Sequence, residues 1–171
     1  MTIFNLPRLS VDIDLDYTHN NSREEMFEER QKISDSINKY MAMSGYELSH
    51  KSKYTHSLDS FVFSYANTAG VKDNIKIEIN YSLRSHVLPL EQRTIETLGI
   101  LDSLKVNSLA SIEIFGSKIV ALLTRAAPRD LYDINNMIYF GLFDETELPL
   151  LKKCAIFYFA INGGISSRTA F

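Results

Sequence analysis

Hydrophobic and polar side chains alternate strictly over residues 11–17, which read VDIDLDY. In an extended strand, successive side chains point to opposite faces. Asp12, Asp14 and Asp16 therefore share one face, and the apolar residues between them share the other. The apolar set is Val11, Ile13, Leu15 and Tyr17. The pattern predicts a strand with one carboxylate-bearing face.

A change to helical periodicity begins at Ser22. Ser22 and Glu25 have the spacing of a capping box, in which each side chain accepts the other residue's backbone N–H. The apolar residues that follow at helical spacing are Met26, Ile33, Ile37, Tyr40 and Met41. Gly45 is a natural helix end. Residues 22–45 are therefore predicted to be helical.

Segments rich in aromatic and β-branched residues come next, at residues 46–50, 57–66 and 74–81. They are predicted to be antiparallel strands of the same sheet. In the last of them, isoleucines alternate with Lys76 and Glu78, which places Glu78 in mid-strand on a polar face. Residues 83–109 contain the breakers Pro89 and Gly99 and are predicted to be connections with one or two short strands.

Helical periodicity returns at Ser111 and continues to about residue 162. The first helix is predicted to end near residue 126, and the second to run from Pro128 to about residue 141. Their predicted buried residues are Ile112, Phe115, Ile119 and Leu122 or Leu123 in the first, and Leu131, Ile134, Met137 and Ile138 in the second. Residues 144–162 are predicted to form a third, strongly apolar helix.

The order of elements predicts an α+β fold, with a mixed or antiparallel sheet and a mainly helical C-terminal part. We expect a sheet region over residues 1–110 and a helical region over residues 111–171 packed on it. With 171 residues and 45% hydrophobic content, the chain is long enough for a real core. Its net charge of -3 argues against a protein dominated by nonspecific attraction to nucleic-acid phosphates.

Neither a membrane-spanning run nor a secretion signal stands out in the sequence, so a cytoplasmic protein without a membrane partner is expected. The single cysteine, Cys154, cannot form an internal disulfide and is expected to be a small core side chain. The histidines lack zinc spacing, and no phosphate-binding loop of the Walker type occurs. The carboxylates of the predicted strands are therefore the residues to consider for a metal site.

The Asp12 and Asp14 pair has the oxygen ligands that Mg²⁺ prefers, and Glu78 would add a third carboxylate if its strand lay beside theirs. Two metal ions held in this way can support in-line displacement at a nucleotide phosphate. The alternative is that these acids, and Lys76 beside Glu78, simply form solvated strand faces. The residues alone leave both interpretations open.

Two longer strings carry a family resemblance. LPRLSVDIDLDY at residues 6–17 resembles the end of the first motif of the AbiEii/AbiGii toxin-type nucleotidyltransferases. SKIVALLTRAAPRDLYD at residues 117–133 resembles the later lysine, arginine and RDxxD motif of that family, and IKIEINY lies between the two strings. The resemblance implies a transferase of the DNA polymerase β type that uses a nucleoside triphosphate and Mg²⁺ or Mn²⁺.

The same resemblance assigns expected roles to individual residues. Asp12, Asp14 and Glu78 would bind metal, and Ser10 would lie near the nucleotide phosphates. Lys118 would contact the triphosphate as a compact point charge. The remaining residues of the later motif are Arg125 and Arg129, expected to bind nucleotide, and Asp130 and Asp133, expected to act in catalysis.

Structural alternatives exist for this later motif as well. Asp130 and Asp133 could act as a base or orient a basic residue, and Arg125 could pair with one of them. Arg129 and Asp133 also have the i,i+4 spacing of an ordinary helical ion pair. Lys118 could equally be a solvated lysine on an amphipathic helix.

One departure from the family pattern affects the expected activity. Members carry a GG[ST] turn upstream of the aspartate strand, whereas the only Gly-Gly here is Gly163-Gly164. A chain truncated at its N-terminus, and at its C-terminus, would look like this. We therefore expect one of two functions. The first is a toxin of a toxin–antitoxin, abortive-infection or phage-defence pair that transfers a nucleotide to RNA, such as tRNA, or to a protein. The second is an inactive remnant that binds a partner such as the antitoxin.

Overall fold

The computed structural model of the protein describes residues 12–95 and 104–162. Ser10 and Val11 lie outside these residues. The chain forms two compact units that divide between Ser85 and His86. The expected boundary at residue 110 put residues 86–110 with the sheet, whereas the structure groups their described part with the helices. A sheet unit thus covers residues 12–85, and a helical unit covers residues 86–95 and 104–162.

The sheet unit contains a five-stranded mixed sheet. Its strands are β1 (Ile13–Asp16), β2 (Glu47–Leu48), β3 (Lys53–Tyr54), β4 (Leu58–Ala66) and β5 (Lys72–Asn80). The order is β1-β5-β4-β2, with β3 also paired to β4. β1 runs parallel to β5, while β2, β3 and β5 all run antiparallel to β4. The predicted α+β class with a mixed sheet is confirmed.

Helix α1 (Arg23–Met43) covers the apolar face of this sheet. Its first turn has the predicted capping box, because Ser22 Oγ accepts the Glu25 N–H and the Glu25 carboxylate accepts the Ser22 N–H. The core contains Tyr17, Met26, Met41, Phe61, Phe63, Ile77, Ile79 and Tyr81. Since side chains alternate along a strand, Lys76 and Glu78 lie on the opposite face of β5.

A buried ion pair also joins α1 to the sheet. Arg30 donates to both carboxylate oxygens of Asp59, which is almost fully buried. The same guanidinium donates to the backbone carbonyls of Thr55 and His56 and lies over the ring of Tyr81. Four polar contacts therefore fix α1 against one end of β4.

The helical unit begins with an antiparallel pair, β6 (Glu91–Ile95) and β7 (Leu104–Ser108). These strands confirm the predicted short strands of residues 83–109. Three helices follow, α2 (Ser111–Arg125), α3 (Pro128–Tyr139) and α4 (Leu148–Ile161). Helix α4 begins after the predicted residue 144, because the Asp144 carboxylate accepts the N–H groups of Thr146 and Glu147 in a turn.

The predicted buried faces of α2 and α3 are confirmed in part. In α2, Phe115 is buried and Ile112 and Ile119 pack in the same cluster, as predicted. Of the two leucines, Leu122 is half-buried and Leu123 is exposed, and Val120 is buried as well. In α3, the predicted core residues Leu131 and Ile138 are 59% and 70% exposed. The residues that α3 buries are Asp130, Asp133, Asn136 and Met137. Ion pairs with α2 hold Asp130 and Asp133 inward, so Leu131 and Ile138 point outward. Ile134 and Met137 pack in the core as predicted.

Two residues of α2 set its contact with α4. Gly116 allows close approach, since a Cβ there would lie 2.8 Å from Cys154 Cβ. Cys154 is fully buried, as predicted. Glu113 is also fully buried, and its carboxylate accepts the Tyr158 hydroxyl and the N–H groups of Val87 and Leu88. Within the described part of the chain, no helix is long and apolar enough to cross a membrane.

Candidate functional site

The carboxylate face of the sheet is formed where β1 and β5 pair in parallel. Asp14 lies directly beside Glu78 in this register, and Asp16 lies beside Asn80. The expected adjacency of the two strands is therefore present. Ser60 of β4 is the next residue in the same row, opposite Glu78. The acids lie on the face opposite α1, because the core uses the alternate residues Ile77 and Ile79.

The electrostatics of this face show a carboxylate cluster with insufficient positive charge around it. Partial burial raises the pKa of Asp14 above its ordinary value, and the negative charges of Glu78, Asp12 and Asp16 raise it further. Lys76 acts in the opposite direction but is outweighed by those effects. The charged form of Asp14 is therefore disfavoured, which is the condition that a bound cation would relieve.

Lys76 supplies a positive charge beside these acids. Its Nζ lies 2.9 Å from Glu78 Oε2, and the two side chains are 37% and 26% exposed. The hydrogen bond to Glu78 and the charges of Asp12 and Asp14 raise the pKa of Lys76. Lys76 is thus a member of the carboxylate cluster. The sequence alone indicates Lys76 only as part of a solvated strand face.

Asp16 has a hydrogen-bond partner on the neighbouring strand. Its Oδ1 accepts a hydrogen bond of 3.0 Å from Asn80 Nδ2, the residue beside it in the register. The neighbour of Asp16 on β5 is therefore an amide donor, whereas the neighbour of Asp14 is the carboxylate of Glu78. Asp12, Asp14 and Glu78 remain the predicted metal ligands of this face.

The donor chemistry of these three residues fits a hard divalent cation, because all are carboxylates and two are neighbours on rigid strands. Among residues 12–95 and 104–162, however, no group of three or more acids, histidines or cysteines is already arranged around a common metal position. The Glu78 carboxylate is engaged by Lys76 instead. Side-chain rotation at Glu78 would therefore accompany metal binding.

The helical unit contains the second set of predicted residues, on α2 and α3. Lys118 Nζ donates to Asp133 Oδ2 over 2.7 Å. Arg125 forms two hydrogen bonds of 2.6 Å with the two carboxylate oxygens of Asp130. Both acids are nearly fully buried, while half of the Arg125 side chain is exposed. The buried carboxylates of Asp133 and Asp130 therefore hold Lys118 and Arg125 of α2 in place.

These contacts decide several of the alternatives left open by the sequence. Arg125 does pair with one of the acids, and its hydrogen bonds lower the pKa of Asp130 despite the opposing effect of burial. Asp133 pairs with Lys118, whereas the helical-pair interpretation assigned it to Arg129. The Arg129 guanidinium approaches Asp130 instead, at 3.8 Å. The carboxylate face and these ion pairs belong to the two different units.

The local sequence explains this placement. Pro128 occupies the first turn of α3, where its missing N–H costs nothing. The short connection after α2 passes through Ala126, whose left-handed φ of 48° ends that helix. The RDLYD residues consequently lie in the first turns of α3, where their carboxylates reach the C-terminal half of α2.

Comparison with protein families identifies one match, which covers residues 1–167. The family is described as the nucleotidyl transferase AbiEii toxin of type IV toxin–antitoxin systems. The chain belongs to the AbiEii family. Comparison with curated proteins and with solved structures found no match. The family resemblance found in the sequence is therefore confirmed over nearly the whole chain.

The AbiEii family match covers both motifs, so both sets of predicted residues belong to the matched part of the chain. Asp12, Asp14 and Glu78 are the acidic set, and Lys118, Arg125 and Arg129 are the basic set. Ser10, expected near the phosphates, belongs to the matched residues but lies outside the described ones.

The sequence did not reveal three further polar groups that the structure brings together. Glu29 accepts hydrogen bonds from Tyr17 and lies 2.9 Å from His19, at the end of β1. Arg30 and Asp59 form the buried pair described above, and Glu113 anchors the segment before β6. The partners are separated by 10 to 45 residues, so sequence spacing gave no signal for them.

Proposed function

We propose that this AbiEii-family protein is a metal-dependent nucleotidyltransferase that acts as the toxin of a toxin–antitoxin pair. It would transfer a nucleotide from a nucleoside triphosphate to an RNA acceptor such as tRNA, or to a protein acceptor. The observation that carries this proposal is the register of β1 and β5, which sets Asp14 beside Glu78 on one sheet face. Family membership supports the reaction class.

The acidic set would hold the cofactor. Asp12, Asp14 and Glu78 offer carboxylate oxygens to Mg²⁺ or Mn²⁺, and the raised pKa of Asp14 supports a face that is short of positive charge. The bound ion would neutralise charge on the α-phosphate and the leaving pyrophosphate. Because β1 and β5 are hydrogen-bonded strands, the two principal ligands are held on a rigid support.

The basic set would contact the triphosphate. Lys118 offers a point charge and Arg125 a planar fork of donors, both suited to phosphate oxygens. Asp133 and Asp130 then act as positioning residues that keep these cations in one orientation. Holding the nucleotide in line with its acceptor is most of what a protein contributes to phosphoryl transfer.

Isothermal titration with ATP, GTP, CTP and UTP in Mg²⁺ tests the proposal. Wild-type protein is expected to bind at least one nucleotide, and the Asp12→Ala, Asp14→Ala double variant to bind none. Asp16→Asn is the matched control, because Asp16 lies on the same strand face but is bonded to Asn80. Equal binding by the double variant, or no binding by folded wild type, would contradict the proposed site.

A partner-binding role without catalysis is the second candidate, and one observation favours it. The outward face of α3 is apolar, with Leu131, Ile138 and Tyr139 all exposed. Exposed apolar faces of this kind mark interaction sites in many proteins. A cognate antitoxin that binds equally well to wild type and to the Asp12→Ala, Asp14→Ala variant, with no nucleotide binding in either, would favour this role.

A further inference from the structure

Lys76 occupies an unusual position for a strand lysine. It lies on β5 two residues before Glu78, so both side chains leave the strand on the same face. Its Nζ contacts Glu78 Oε2 at 2.9 Å, and only about a third of its side chain is exposed. The charged end of Lys76 thus points along the strand toward the acids instead of extending into solvent.

More than one carboxylate acts on this ammonium group. Asp12 and Asp14 add to the effect of Glu78 in raising the pKa of Lys76, and Lys76 in turn lowers that of Asp14. The influence is mutual, so the ammonium lies within electrostatic reach of all three candidate metal ligands. Lys76 therefore offsets part of the negative charge of this cluster.

An ammonium and a divalent ion compete for the same oxygen atoms. Lysine presents a compact charge with three donors, and its contact with a carboxylate occupies a lone pair that a metal could otherwise use. Lys76 and a divalent ion therefore compete for the Glu78 carboxylate, and the positive charge of each weakens the binding of the other.

We infer that Lys76 is an internal counter-cation of the metal site, which yields Glu78 to an entering divalent ion and then contacts the phosphates of the nucleotide. This inference rests on the proposed function, since it assumes that Asp12, Asp14 and Glu78 bind the metal. Lys76 becomes a positioning and nucleotide-binding residue that the sequence did not identify.

The size of the effect follows from charge alone. A single positive charge about 6 Å from a divalent ion, in a solvent-exposed setting, weakens binding of that ion by roughly tenfold. Competition for Glu78 acts in the same direction. Removing the charge of Lys76 should therefore strengthen metal binding in the absence of nucleotide by roughly tenfold.

The test is a titration of the full chain with Mn²⁺, followed by electron paramagnetic resonance and without nucleotide. Lys76→Met keeps the apolar stem and removes the charge, and Lys76→Arg keeps the charge. Lys72→Met is the matched control, because Lys72 is exposed on the same strand face four residues away. Lys76→Met is expected to bind Mn²⁺ roughly tenfold more tightly than wild type, and the other two variants to bind as wild type does.

A second titration tests the exchange to phosphate. At saturating Mn²⁺, a nonhydrolysable nucleoside triphosphate should bind Lys76→Met roughly tenfold more weakly than wild type, because one phosphate contact is lost. Lys76→Arg should restore most of this affinity.

The outcomes separate the inference from the proposed function. Mn²⁺ binding that is unchanged or weaker in Lys76→Met overturns the counter-cation role, while wild-type binding of Mn²⁺ leaves the metal site standing. Unchanged nucleotide affinity in Lys76→Met overturns the contact with phosphate. If wild-type protein and Lys76→Met both bind no Mn²⁺, the metal site itself is refuted and the inference is refuted with it.

Discussion

Replacing Asp14 by asparagine should stabilise the protein in the absence of divalent ions. Asp14 lies beside Glu78 on a parallel strand, and like charges directly opposite each other destabilise a sheet. Asparagine has nearly the same shape, so the change removes charge without creating a cavity. The stabilising substitution would therefore fall on a residue that the proposed function requires, as is common for active-site charges.

The magnitude follows from the strand spacing. Two unit charges about 5 Å apart repel by about 0.8 kcal/mol in a water-like dielectric. Asp12 adds to this repulsion and Lys76 offsets part of it. We expect a gain of about 0.5–1 kcal/mol, which for a chain of this size raises Tm by about 1–4 °C.

The assay is thermal unfolding of wild type and Asp14→Asn, followed by circular dichroism at pH 7 with chelator. Because the pKa of Asp14 is raised in the folded protein, its destabilising effect is present at neutral pH and disappears as the pH falls toward about 4. The difference in Tm should disappear over the same range. Mg²⁺ should raise the Tm of wild type but not that of the variant.

Asp16→Asn is the matched control for this experiment. It removes a charge from the same strand face, but Asp16 already accepts a hydrogen bond from Asn80. An asparagine at this position keeps an acceptor oxygen, so little change in Tm is expected. A lower Tm for Asp14→Asn at pH 7 in chelator would refute the reasoning, because Asp14 would then be held by favourable contacts.

Three further substitutions test the packing that supports the site, each by denaturant unfolding. Gly116→Ala should cost about 1–3 kcal/mol, because its Cβ would lie 2.8 Å from Cys154 Cβ; wild-type stability would contradict the close contact of α2 with α4. Asp59→Asn should cost about 3–5 kcal/mol by leaving Arg30 buried without its charge partner. Glu113→Ala should cost about 3 kcal/mol or more by orphaning three donors, and Glu113→Gln should cost less.

Local signals predicted much of the fold. The alternation of isoleucines with Lys76 and Glu78 identified β5 and its polar face, and the capping box fixed the start of α1. Pro128 marked the first turn of α3. These features depend on neighbouring residues, so a single sequence contains the information that determines them.

Tertiary contacts overrode the pattern elsewhere. Apolar spacing indicated that α3 would bury Leu131 and Ile138, but Asp130 and Asp133 find cationic partners on α2 and take the interior face. A buried acid that is paired is tolerated, whereas an unpaired one is not. Hydrophobic periodicity takes no account of such pairs, so it wrongly placed Leu131 and Ile138 in the core, although it placed Ile134 and Met137 there correctly.

The candidate site was predictable in its chemistry and less so in its geometry. The acids were identified from alternation and family resemblance, and the register of β1 with β5 placed Asp14 and Glu78 side by side. The pairing of Lys76 with Glu78 could not be derived in the same way. Residues two apart on a strand share a face, but whether they contact depends on the charges supplied by other strands.

Placing acids side by side on a sheet requires a rigid support behind them. On the opposite face, the stacked rings of Phe61 and Phe63 pack beneath α1, and the pair between Arg30 and Asp59 fixes that helix to β4. Asp59 immediately precedes Ser60, the residue opposite Glu78 in the neighbouring strand. The buried pair therefore secures the strand that orders the carboxylate row. The apolar core and the Arg30–Asp59 pair therefore offset the repulsion between the acids on the opposite face.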